Sequence, residues 1–114
     1  MKTEKFKVID FIRQFIIMMD KELECFPKKE IEIKNRIKTN SFDILELAYE
    51  ANSIEDKYIK KDLLLKILSK VKVIDFLLNL SLDKKLISQK VFLKLSNKLE
   101  DILKYVVGWQ KLIK

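Results

Sequence analysis

Glu46 and Glu50 stand four residues apart, a spacing that sets two carboxylates on one helix face. Such a pair can share a proton or ligate a metal, but either chemistry needs further groups. The chain has no histidine to serve as base or ligand, and its one cysteine is Cys25. It therefore holds no thiol–imidazole zinc site, no Glu-x-x-His of the kind di-metal bundles use, and no internal disulfide. Neither a phosphate-cradling glycine loop nor a nucleophile motif is present. Glu46 and Glu50 are thus expected to be solvated helix carboxylates, and Cys25 a half-buried small apolar residue. The residues predict a non-enzyme, with no catalytic residue, cofactor or metal.

What the chain does carry in quantity is lysine. Lys90, Lys94 and Lys98 recur at every fourth position, one stripe along a helix. Lys66 and Lys70 repeat the interval, Lys61 and Lys72 lie near another common line, and Lys34, Arg36 and Lys38 cluster around Glu32. Rows of long cations neutralise phosphates, with a salt-dependent affinity. The charge is also uneven: residues 1–56 carry a net −2 and residues 57–114 a net +9. One side of the molecule should then face a polyanion.

These rows need long helices to hold them. The 114 residues suffice for one domain over 1–114, and they include one Gly, one Pro and 48% hydrophobic residues. Apolar residues Val8, Ile9, Ile12, Phe15, Ile16, Met19 and Leu23 give a first helix over about Thr3–Leu23. Pro27 breaks the chain and opens a second helix over Lys28–Ser53, facing inward with Ile33, Ile37, Ile44, Ala48 and Ala51. Asn40 and Ser41 interrupt that face. Asn52 or Ser53 should cap a third helix over about Glu55–Leu80, whose inward arc is Ile59, Leu63, Ile67, Val71, Ile74 and Leu78. Ser88 caps the fourth, which runs to the end of the chain. Near-equal lengths and short connections predict an all-α, antiparallel up-down-up-down four-helix bundle. Asp10 and Arg13 interrupt the first apolar run, and no stretch reaches the roughly 18 uncharged residues of a membrane span. The expected location is the cytoplasm.

A bundle needs one apolar stripe per helix, and this chain has more. Leu65 and Phe76, flanked by Leu68, lie opposite the third helix's core arc. Ile31, Phe42 and Tyr49 leave that of the second, and Phe11 and Met18 that of the first. Apolar surface in excess of one core implies partner chains or copies of this one. The only glycine, Gly108, adjoins the only tryptophan, Trp109, near the end of the fourth helix. Trp109 shares a side with Val91, Leu95, Ile102, Val106 and Ile113 and should fill the bundle end. Gly108 either admits a neighbouring helix or chain closely or caps a frayed helix end.

The stretch FPKKEIEIKNRIKTNSFDILELAYEANS resembles the second helix of the Avd proteins, accessory variability determinants of diversity-generating retroelements. The shared elements are the aromatic-Pro entry, a basic residue near Arg36, and DILELAYEAN. KKLISQKVFLKLSNKLEDILKYVVGWQK is similar to that family's last helix, including its terminal GW. The likeness spans about residues 6–114. A wider superfamily includes proteins encoded in intervening sequences of 23S rRNA genes, whose second helix ends differently from ELAYEANS. The resemblance implies a homopentameric barrel of four-helix protomers that binds the element's reverse transcriptase and nucleic acid (RNA or DNA), without catalysis of its own. Arg36, Lys34, Lys38, Lys66, Lys70 and Lys72 are the expected electrostatic contacts, joined by Lys90, Lys94 and Lys98. Leu65, Phe76, Phe42, Tyr49 and Gly108 are the expected oligomer contacts. Family helices are Arg-rich, whereas this chain has only Arg13 and Arg36, so its phosphate contacts lack the bidentate fork and should be more salt-sensitive. A stand-alone nucleic-acid-binding bundle and a helical protein–protein adaptor are the alternatives.

Overall fold

The structure is a computed structural model; it describes the backbone from Lys2 to Ile113 and side chains from Lys7 to Ile113. Four helices follow one another: α1 (Lys2–Leu23), α2 (Ile31–Ser53), α3 (Lys57–Asp83) and α4 (Gln89–Leu112). Each packs on its neighbours in sequence, and α1 packs on α4. Among the described residues, no Cα atoms of the diagonal pairs α1–α3 and α2–α4 come within 8 Å. That is a square four-helix bundle, 45 × 23 × 19 Å, around one core.

Each helix begins and ends for a local reason. After α1, Pro27 sits at φ −61°, ψ 151°, and a single 3-10 turn over Lys28–Glu30 leads into α2. The cap of α3 is Asp56, whose Oδ1 accepts from the Tyr58 and Ile59 amides at 2.9 and 3.1 Å. This corrects the expectation of Asn52 or Ser53. Ser53 remains inside α2 and its hydroxyl donates back to the Tyr49 carbonyl, while an aspartate gains from the positive end of the helix. Ser88 caps α4 as expected, its Oγ accepting from the Val91 amide at 3.1 Å.

The end of α3 lies three residues beyond the expected Leu80, and its closure is unusual. The Leu86 amide donates to the Ser81 carbonyl and the Lys85 amide to the Leu82 carbonyl, the paired bonds of a Schellman motif. The left-handed position of that motif favours glycine, yet here Lys85 occupies it at φ 62°. Lys85→Gly is expected to stabilise the fold by about 1 kcal/mol, read as a raised urea midpoint at unchanged slope.

The core follows the predicted periodicities with a few differences. Val8, Ile12, Phe15 and Met19 of α1 meet Ile37, Ile44, Ala48 and Ala51 of α2, all buried. On α3, Leu63, Ile67, Val71, Ile74 and Leu78 are buried, and Leu64, Leu77 and Ser81 widen the arc. Ile59 was expected inward but is 44% exposed. The Asp56 cap puts Ile59 in the first turn, where its side chain leans toward the open end of the bundle. Phe11 and Met18 do not form the expected second stripe on α1. Both are half-buried, because α4 covers that side. Ser41 and Ser81 are buried without penalty, since each hydroxyl donates to the carbonyl four residues back, at 2.6 and 2.8 Å.

Trp109 lies in the core with Leu95, Leu99, Ile102 and Val106. The helix continues through Gly108 to Leu112, and Gly108 does not take a positive φ. Gly108 is therefore an interior helix residue, which removes the capping alternative. No helix among the described residues is long and apolar enough to cross a membrane.

Candidate nucleic-acid interface

Burial of Leu95, Leu99, Ile102, Val106 and Trp109 fixes how α4 is turned, and so fixes where its lysines point. Lys90 and Lys104, with Asn97 between them and Lys111 beyond, follow one another at seven-residue steps along the exposed side. Lys94 and Lys98 stand nearer α1. Lys94 borders a groove with Met18, Lys21 and Glu22 of α1. Lys98 reaches across: its Nζ donates to Gln14 Oε1 at 2.8 Å and lies 4.8 Å from the centre of the Phe11 ring. Gln14 in turn donates to Asp10 at 2.8 Å.

Aromatic rings hold three of these cations, Lys7, Lys98 and Lys104, in place. Phe11 and Tyr105 pack across the α1–α4 seam with ring centres 5.3 Å apart. The ammonium groups of Lys7 and Lys104 sit 5.0 and 5.7 Å from the Tyr105 ring centre. Each such contact contributes about 0.5–1 kcal/mol at an exposed site. A lysine resting on a ring keeps its charge at the surface while losing some of its freedom beforehand, which lowers the entropy cost of meeting a phosphate.

The other expected contacts do not join this surface. Lys66 and Lys72 are exposed on α3, with Lys72 beside Asp75, Ser96 and Glu100 in the α3–α4 groove. Lys70 is half-buried and paired with Asp43 of α2 at 3.2 Å, so its charge is already answered. Arg36 lies in a shallow patch of α2 with Glu32, Asn35 and Thr39. Lys38 faces the α1–α2 groove beside Asp20 and Phe42, and Lys34 is half-buried nearby. Arg36, Lys38 and Lys72 have acidic neighbours, as do Lys94 beside Glu22 and Lys98 near Asp10. Lys90, Lys94 and Lys98 lie on the same side of the bundle as Lys7 and Lys104, which do not stand out in the sequence. The seven-residue step from Asn97 to Lys104 to Lys111 was a readable sign of the second row.

The expected oligomer contacts Leu65, Phe76, Phe42 and Tyr49 are all exposed, Phe76 at 63% and Phe42 at 50%. Gly108 is half-buried near the end of α4.

Compared with known protein families, curated proteins and solved structures, the chain matches none. Among the described residues, no three Cys, Asp or Glu side chains gather to hold a metal ion. The α4 surface presents cations on an exposed helix side flanked by the α1 helix. Such a surface suits contact with successive phosphates and has no element shaped to read base edges.

Proposed function

We propose that this protein is a non-catalytic accessory factor that self-associates, binds nucleic acid electrostatically, and serves a reverse transcriptase in mutagenic copying of a template RNA. This is the role implied by its resemblance to the Avd proteins. The observation that carries the reading is a division of surfaces. The aromatic-held lysines lie on α1 and α4, whereas most of the large exposed apolar residues, eight of twelve, lie on α2 and α3; Ile17, Leu93, Val107 and Leu112 are the exceptions. A polyanion and a protein partner can thus be held at once on different sides. The pentameric barrel and the cytoplasmic location are part of the same proposal.

Light-scattering mass at low and moderate salt, with and without a structured RNA, tests it. The expected result is a salt-stable mass near five protomers, with RNA affinity that falls as salt rises. RNA binding by a protein that ignores the reverse transcriptase would favour the stand-alone bundle. A monomer or dimer indifferent to RNA would leave the adaptor.

A further inference from the structure

Helices α2 and α3 each carry three exposed large apolar residues in a line, and α3 also exposes Ile59 and Val73 off that line. On α2 these are Ile31, Phe42 and Tyr49, separated by eleven and then seven residues. On α3 they are Tyr58, Leu65 and Phe76, separated by seven and then eleven. At 3.6 residues per turn both intervals return to within about 20° of the same side, so each set is a straight stripe. The intervals correspond to about 16 Å and about 10 Å of rise, in opposite order along the two helices. Laid antiparallel, the stripes match step for step: Ile31 against Phe76, Phe42 against Leu65, Tyr49 against Tyr58.

The match cannot be made within one protomer, where α2 and α3 meet through the sides that carry Asp43 and Lys70. Building on the self-association proposed above, we infer that the α2 stripe of one copy seats on the α3 stripe of the next in this register. Both halves of the fit belong to the same chain, which favours a second copy over a foreign partner. Charge supports the same choice. Apart from Asp43 and Lys70, which pair within the protomer, Thr39–Asp56 has four carboxylates and no cation, whereas Lys57–Lys72 has five lysines and one aspartate. The Tyr49–Tyr58 end of the contact therefore brings an acidic surface to a basic one. Lys38 and Lys72 share a sign at the other end, which confines the attraction to the first.

The register also fixes the symmetry. A two-fold axis across the helices would bring α2 of one copy parallel to α3 of the other. Only a rotation about an axis running along the bundle keeps them antiparallel. Each copy then uses two different faces, one toward each neighbour, and growth continues until the rotation closes. The contact covers the outer side of α3 and leaves the lysines of α1 and α4 for the polyanion.

Two variants test the pairing by light-scattering mass. Phe42→Asp spoils the α2 stripe and keeps α3, and Leu65→Asp does the reverse. Both positions are exposed, so each variant should retain the wild-type helical content and unfolding midpoint. Each alone is expected at the mass of one protomer, and an equal mixture at the mass of two and no higher. Variants that keep the wild-type mass, or a mixture that stays at one protomer, would overturn the pairing while leaving self-association intact. A wild-type protein that is itself monomeric would remove both.

Discussion

A Lys90→Ala/Lys94→Ala/Lys104→Ala variant should bind structured RNA about 10²–10³-fold more weakly than the wild type near 0.1 M salt. Each phosphate neutralised contributes about 0.9 to the slope of log affinity against log salt, so three lost contacts flatten that slope by about 2 to 3. The three side chains are exposed, and Lys104 gives up only a weak contact with Tyr105. Unfolding should therefore be nearly unchanged, and the loss will be one of binding. An Arg36→Ala/Lys38→Ala variant is the comparison, since those cations lie on α2, away from the α4 lysines. Titrations at several salt concentrations decide the matter. Equal slopes for the triple variant and the wild type would remove the α4 surface from any role with nucleic acid.

Trp109→Ala should lower stability by about 3–5 kcal/mol. The indole is 4% exposed and terminates the run of core residues on α4, one turn from the end of that helix. Its removal costs the transfer energy of a large ring and leaves a cavity, which Gly108 beside it cannot fill. A small domain has about 5–15 kcal/mol in total, so the variant would be near the edge of folding. Urea unfolding followed by helical signal gives the answer, and a loss below about 1 kcal/mol would show that the bundle end does not depend on this ring.

Most of the fold was legible because long helices announce themselves through repetition. The buried faces of α1 and α4 came directly from spacings of three and four, and Ser88 was readable as a cap beside an apolar run. The α2–α3 junction was harder. Asn52, Ser53 and Asp56 are all good caps by residue type, and what separates them is how far α2 propagates before the chain turns. That choice moved Ile59 from the core to an exposed first turn. Phe11 and Met18 were misplaced for a different reason. A helical wheel shows which residues leave the core arc but not which neighbour covers them, and here α4 does. The same limit hid Lys7, which belongs to the α4 lysines only because α1 and α4 adjoin. In the sequence nothing separates Lys70 from Lys66, and the ion pair of Lys70 with Asp43 follows from the α2–α3 packing alone.

That adjacency of α1 and α4 also orders the making of the fold. Every other helix contact joins elements that follow each other along the chain and need only a short turn to find each other. The seam between α1 and α4 joins Gln14 to Lys98, 84 residues away. During synthesis, α1, α2 and α3 can collapse while α4 is still being made. The flank of α1 that holds Phe11 and Met18 stays wet until α4 arrives, so of the four helices the one farthest along the chain from α1 is the one that shuts the bundle.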